Sequence, residues 1–473
     1  MTGEPATSAQ AATSIAIIGA GISGLTLALR LKELGHSVCV YEASERVGGP
    51  IHTVDFDGFV VEHGPHTLLE KSRSLQRFID HLGLGPKRLE ASPLAKKRYV
   101  VRHGQPVALP GGPGAFASTP LFSARAKLRL LAEPFVGKTH DADESLASFV
   151  SRRLGQEVLD YAVDPFVAGT YAGDPKKLSV RHAFPMLDDL QAQHGSLFRG
   201  LAARALGPKN PERAPHKVVS FEGGLSTLIN TLEAKLGEDV ILRAAATAIA
   251  FEENQWQLSY QKKNRTSTHA HDAIVFCMPA HKLAGLDVRG RNAQPIELGR
   301  LDAITYSPIA LVALGFERAR VDHPLDGLGM LVPGVENFRI LGTLFTSSMF
   351  ARRAPLGHVN LTTFVGGARQ PHLVDEDEAT IVEMVRVDLH RLLGANGTPS
   401  FVHVSRYARA IPQYEVGYAG VLAHIDTLEA ENDGLFFGGN YRDGIAVPAL
   451  IDAANARALR IDEHLANHKR SSL

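Results

Sequence analysis

"SIAIIGAGISGLTLALRLKELGHSVCVYEASERVGG", residues 14–49, decides the fold. Ser14–Ile18 is a short apolar, β-branched run suited to a buried parallel strand. Gly19-x-Gly21-x-x-Gly24 follows at once. The apolar spacing then predicts a helix from about Ile22 to Leu34, closed by Gly35. A second strand, "HSVCVYE", ends on Glu42. In such a unit the first glycine permits the tight turn, the second lets backbone approach a pyrophosphate, and the third lets helix pack on strand. The helix N-terminus, with Ala20, Ile22 and Ser23 around the glycines, takes the phosphates, and Glu42 with Ala43 receives a ribose. A lone GxGxxG would read equally as a Gly-rich turn; here strand, helix and acid stand at the required spacing, which makes it a dinucleotide site.

The rest of the composition bounds what that site serves. A chain of 473 residues exceeds one hydrophobic core, so two or more domains are expected. Lys+Arg and Asp+Glu both number 50, so no net field draws nucleic acid, and a small molecule is the expected ligand. The two cysteines, Cys39 and Cys277, lie inside apolar strand-like runs, which excludes a disulfide framework and reads as reduced core thiols. No metal ligands are assigned. The opening "MTGEPATSAQAAT" lacks the pattern of a secretory or mitochondrial leader and reads as a disordered tail. No run of about 18 apolar residues occurs, so no membrane-spanning helix is expected.

After Glu42 the chain continues "ASERVGGPIHT", where Arg46 can pair with phosphate and Gly48, Gly49 and Pro50 can pass close to an extended ligand. This stretch resembles the FAD signature of the amine oxidase, phytoene desaturase and protoporphyrinogen oxidase superfamily. No second GxGxxG follows a strand, so a separate NAD(P)H domain is not supported and an oxidase is expected. "KKRYVVRHGQPVALP", "VAGTYAGDPKKLSVRHAFPML", "LGTLFTSSMFARRAPLG", "TTFVGGARQP", "IPQYEVGY" and "GGNYRDGIAVPALIDAA" resemble, in order and spacing, the protoporphyrinogen oxidase family from about Ile15 to Leu465.

That resemblance implies an α/β fold. It comprises a discontinuous Rossmann-like FAD-binding domain (14–90, 215–283 and 405–473), a mixed-sheet substrate domain (91–111 and 284–404) and a helical membrane-facing insert (112–214). It implies that Arg98 anchors a propionate, that Leu328, Leu344 and Phe364 sandwich a macrocycle, and that Gly169 lays bare backbone against it. Read singly, these would be a solvated basic cluster, core residues and a turn glycine. It also implies that Gly64, Pro65, His66 and Thr67 pass the isoalloxazine and ribityl chain, that Ala246 meets the adenine, and that Gly439, Asn440, Ile445, Ala446 and Val447 close over the ring. His66 is a titratable residue beside the cofactor, but the family does not rely on a histidine there; no catalytic residue is assigned, because the flavin carries the chemistry. Two positions depart from the family pattern: Tyr407 where relatives often carry tryptophan beside the flavin, and Pro448, acceptable in a first helical turn.

The implied function is FAD-dependent oxidation of protoporphyrinogen IX to protoporphyrin IX with oxygen as acceptor. The nearest alternative is coproporphyrinogen III oxidation, whose substrate bears four propionates instead of two. More distant are a flavin amine oxidase, expected to show an aromatic pair and a lysine at the flavin, and a non-catalytic flavoprotein. A cytoplasmic enzyme, peripheral on the inner face of a bacterial membrane and paired as a homodimer, completes the expectation.

Overall fold

The computed structural model describes residues 13–137, 143–208 and 211–471, grouped in two compact units. The first twelve residues of the expected tail lie outside the described residues.

The first unit joins Met1–Pro50, Leu228–Ala303 and Ala423–Leu473. Its centre is a five-stranded parallel sheet in the order Val240–Ile241, Ser37–Tyr41, Ser14–Ile18, Ala273–Phe276, Leu435–Phe437. The strands are almost wholly apolar because both faces are covered, as parallel sheets require. In chain order the strands step outward to one side of Ser14–Ile18 and then to the other. The sheet is therefore doubly wound, with its switch point between Ser14–Ile18 and Ala273–Phe276. The Ile22–Glu33 helix packs against the Val447–Ser471 helix. A four-stranded sheet, Arg265–His271, Gln255–Lys262, Ala245–Glu252 and Asp287–Arg289, completes the unit.

The second unit joins Ile51–Thr227 and Ile304–Leu422. Its main sheet has seven strands in the order Phe401–Pro412, Tyr306–Glu317, His358–Gly366, Ile340–Phe345, Gly327–Leu331, Lys97–Arg102, Gln105–Ala108. Only the Gly327–Leu331/Lys97–Arg102 pair is parallel. One face is sealed: Tyr99, Val101, Met330, Phe345, Val365, Val312 and Leu314 bury against Ile381, Val385 and Leu389 of the Glu378–Leu393 helix. That helix starts cleanly because the Asp377 carboxylate accepts the Thr380 N–H at 2.9 Å. Short helices occupy most of 113–206. Among the described residues no helix is long and apolar enough to cross a membrane.

Two compact units replace the three-part division drawn from the sequence. Residues 405–412, assigned to the nucleotide domain, belong to a twelve-residue strand that pairs antiparallel with Tyr306–Glu317 in the other unit. Residues 51–90 and 215–227 also fall in the second unit, and 284–303 fall in the first. The helical stretch is not a separate body, because its Asp164–Tyr171 helix packs directly on Gly327–Leu331 and Ile340–Phe345.

Candidate active site

The three motif glycines are empty of side chain for different reasons. A Cβ on Gly24 would lie 2.0 Å from the Gly19 carbonyl oxygen, and one on Gly19 (φ +108°) would lie 3.0 Å from the Cys277 backbone. Packing within the protein therefore dictates both. A Cβ on Gly21 would meet no atom of the described residues within 4 Å, so packing does not require a glycine there and the space stands open to a ligand. Gly21 also caps the Ile22–Glu33 helix without a side-chain hydrogen bond, leaving its first-turn N–H groups for an anion.

Around this end of the sheet the remaining nucleotide residues of the first unit assemble. Glu42 Oε2 accepts the Ala20 N–H at 2.8 Å and Oε1 accepts the Ser44 N–H at 2.9 Å, which fixes the carboxylate while leaving lone pairs for ribose hydroxyls. The Ala244 N–H donates to the Glu42 carbonyl at 2.8 Å, so the chain leading into Ala246 runs beside that acid. Gly48 N–H donates to the Ala20 carbonyl at 2.7 Å and a Gly49 Cβ would lie 3.8 Å from Gly21, while Ala43 and Pro50 stand exposed. The Arg46 guanidinium turns onto its own loop, donating to the Val47 carbonyl at 3.1 Å and the Gly49 carbonyl at 2.7 Å. Gly439 approaches the Cys277 carbonyl from the next strand end, with its N–H on Asp443 Oδ2 at 2.8 Å. Asn440 follows, and Ile445 and Ala446 lead into the helix that begins at Val447. An open glycine, an uncapped helix and a fixed carboxylate fit an adenine dinucleotide. Burial pushes the Cys277 thiol up to about 12, so it stays an inert core thiol.

In the second unit the expected substrate residues converge on the unsealed face of the seven-stranded sheet. Registers align Phe364 with Gly342 and Leu311, Leu344 with Gly329, Leu331 with Val100, and Tyr407 with Ile309. Leu331, Leu344, Phe364, Ile309 and Tyr407 are all half-buried, in contrast to the buried residues of the opposite face. A bulge in Gly327–Leu331 sets two residues, Leu328 and Gly329, opposite the single Arg98. Arg98 is exposed, and no hydrogen bond or ion pair of its guanidinium is formed among the described residues. Arg102, two places along the same side of the strand, is by contrast paired with Glu157 at 2.8 Å and stacked 4.0 Å from the Tyr161 ring centroid. Gly169, on the Asp164–Tyr171 helix, lies against this face: a Cβ there would fall 2.5 Å from Leu331 Cδ2.

The loop of Gly64, Pro65, His66 and Thr67 crosses the same face. His66 meets Phe364 edge-on, ring centroids 5.5 Å apart, and His63 Nδ1 lies 3.1 Å from Ser405 Oγ. Burial, with smaller contributions from Arg353 and His63, lowers the His66 pKa to about 3 against a hydrogen bond to Gly64. The ring is therefore neutral at working pH, and its buried Nε2 has no hydrogen-bond partner among the described residues, which suits contact with a ligand. Just before the loop, Glu62 accepts from Thr53 Oγ1 (2.6 Å) and the Leu225 N–H (2.9 Å) and lies 3.7 Å from Arg353. Burial raises its pKa to about 7 against those three stabilising contacts. Leu331 and Ile309 were missed by sequence reasoning, since neither sits in a distinctive motif and a bulge hides the alternation near Leu331.

The profile of the family described as flavin containing amine oxidoreductase matches residues 22–452. The chain belongs to that family. Within it, the chain is 36% identical to the mitochondrial protoporphyrinogen oxidase of Nicotiana tabacum, over 95% of each chain. It is 28% identical to the coproporphyrinogen III oxidase of Bacillus subtilis strain 168, covering 93% of this chain and 96% of that one. A crystal structure from Exiguobacterium sp. 255-15, provisionally named a protoporphyrinogen oxidase, superposes with a TM-score of 0.79 at 24% identity, covering 95% of this chain and 98% of that one. At that identity the likeness speaks for the fold.

Proposed function

We propose that this chain oxidises protoporphyrinogen IX to protoporphyrin IX, in three two-electron steps that consume three O2 and release three H2O2. When bound, FAD supplies the hydride acceptor and returns the electrons to oxygen. The observation that carries the reading is the apolar face of the seven-stranded sheet, half-buried at Leu331, Leu344, Phe364, Ile309 and Tyr407, with an unpaired Arg98 at one end. Leu344, Phe364 and Leu331 offer area to a macrocycle and exclude water from it, and Gly169 lets the backbone of its helix come close over Leu331. Arg98 is suited to a carboxylate because its planar fork donates two parallel hydrogen bonds. With Arg102 already committed to Glu157, the cation free at this end suits a substrate with its propionates on one side, which favours protoporphyrinogen over coproporphyrinogen.

The helical stretch 112–214 is proposed to rest on a lipid surface. Leu128, Leu131, Phe135, Leu201 and Leu206 are 68, 70, 85, 48 and 89% exposed, with exposed Arg125, Arg199 and Arg204 among them. Buried Glu133 draws two of these helices together, accepting the Leu197 N–H at 2.9 Å and Arg153 Nη1 at 2.7 Å. Placement at the inner face of a bacterial membrane, and pairing of two copies, are proposed with it and are read by membrane flotation and light scattering.

Anaerobic mixing of the flavin-loaded protein with protoporphyrinogen IX or coproporphyrinogen III tests the reading. Bleaching of the flavin by protoporphyrinogen, with porphyrin fluorescence once air is admitted, is expected. Faster bleaching by coproporphyrinogen moves the substrate to the four-propionate class, and no bleaching by either removes the porphyrin assignment.

A further inference from the structure

We propose that Arg369 is a positioning residue that sets the height of the Asp164–Tyr171 helix above the apolar face and so decides how tightly substrate is held; this rests on the porphyrinogen reading above. The helix carries Gly169, where a Cβ would fall 2.5 Å from the tip of the Leu331 side chain and push it aside, so a small displacement of the helix changes the gap. Both of its ends are held by one loop, Gly366–Gly367–Ala368–Arg369, which leaves the end of strand His358–Gly366.

At the C-terminal end the Ala368 N–H donates to the Ala172 carbonyl at 2.7 Å, and a Cβ on Gly367 would lie 2.8 Å from that same oxygen. At the N-terminal end Arg369 Nη2 donates to Asp164 Oδ2 at 2.5 Å. Its Nη1 donates to the Val332 carbonyl at 2.7 Å, one residue past Leu331. The Gly334 N–H shares Asp164 Oδ2 at 2.9 Å. One guanidinium thus ties the helix to the end of the strand that carries Leu328 and Leu331. The two side chains are only 17% and 19% exposed, so the pair is shielded from solvent competition. A fork is needed for this: lysine reaches one of the two acceptors, glutamine carries no charge. Arg369 lies in the same quoted stretch as Phe364, but no role was given to it from the sequence, and the oxidation itself makes no use of it.

The test uses the full flavin-loaded chain with Arg369→Gln, Arg369→Lys and Asp164→Asn. For protoporphyrinogen IX, Arg369→Gln is expected to raise KM about tenfold, the scale of one charge-assisted hydrogen bond, with kcat within about twofold. Flavin content stays at the wild-type level. Arg369→Lys falls between, and Asp164→Asn follows the glutamine variant. Hydrogen exchange in peptides covering 164–172 accelerates while the rest of the chain keeps its protection. An unchanged KM with unchanged exchange overturns the proposal. So does a general loss of protection with KM, kcat and flavin content changing together, because that marks a merely structural pair. If the wild-type protein turns over no porphyrinogen, the functional reading fails; exchange at 164–172 then still decides whether Arg369 holds the helix.

Discussion

Replacing Gly21 by alanine separates a glycine kept for a ligand from one kept for the fold. Gly21 has φ −72° and ψ 178°, extended backbone that any residue adopts, and its added Cβ meets nothing within 4 Å. In the flavin-free protein Gly21→Ala therefore costs no steric strain, and the gain from restricting the unfolded chain, about 0.4–1 kcal/mol, is offset by alanine being a poorer N-cap than glycine. For a unit of this size Tm should stay within about 4 °C of wild type. With the dinucleotide bound, the same methyl stands where backbone and pyrophosphate meet. Overpacking of that kind costs about 1–3 kcal/mol, or roughly five- to 150-fold in Kd. Gly24→Ala is the control, since its Cβ would lie 2.0 Å from the Gly19 carbonyl oxygen and 3.3 Å from Ile17 Cγ2, so it lowers the flavin-free Tm. The assay strips the flavin, records thermal melts, then titrates FAD back by fluorescence quenching. Wild-type FAD affinity in Gly21→Ala, or a flavin-free Tm as low as that of Gly24→Ala, would refute the reasoning.

Arg98→Ala is expected to raise KM for protoporphyrinogen IX by about tenfold or more and leave kcat within about threefold, because a propionate contact is made equally in ground and transition states. Steady-state kinetics decide it, and a fall in kcat at constant KM counts against the anchor. Glu62 holds its proton up to about pH 7 in the folded chain against an ordinary value of 4.5, so the folded state binds more protons between those values and stability declines as pH rises through them. Glu62→Gln should remove that decline, which is on the order of 3 kcal/mol at most; urea unfolding from pH 4.5 to 7.5 checks it, and parallel curves for variant and wild type defeat it. Leu131→Asp with Phe135→Asp should abolish co-flotation with anionic vesicles while porphyrinogen turnover in detergent persists; unchanged flotation would place the lipid contact elsewhere.

The nucleotide half of the site was legible because its information is local. Ser14–Ile18 was read to the residue and the helix to within one, since turn, helix start and acid are fixed by spacing along one short stretch. The boundaries between units were less legible. Phe401–Pro412 carries no clean apolar alternation and sits just ahead of nucleotide-fold elements, and only its long pairing with Tyr306–Glu317 shows which unit owns it. On the apolar face, Arg98, Leu328, Leu344 and Phe364 came from family likeness, because register across strands far apart in sequence is invisible to periodicity. For Arg46 residue type suggested a phosphate partner, and the structure adds what type cannot show: two backbone carbonyls of its own loop accept from the guanidinium.

The bulge at Leu328 and Gly329 sets which side chains neighbour Arg98. In a parallel pair one added or lost residue slides everything beyond it by one step and turns every side chain beyond it to the other face. A single-codon deletion in Gly327–Leu331 would therefore change which side chains face Arg98 without a single substitution. Length variation in this strand, more than substitution, is the cheap evolutionary route by which a scaffold of this kind would acquire a differently shaped substrate.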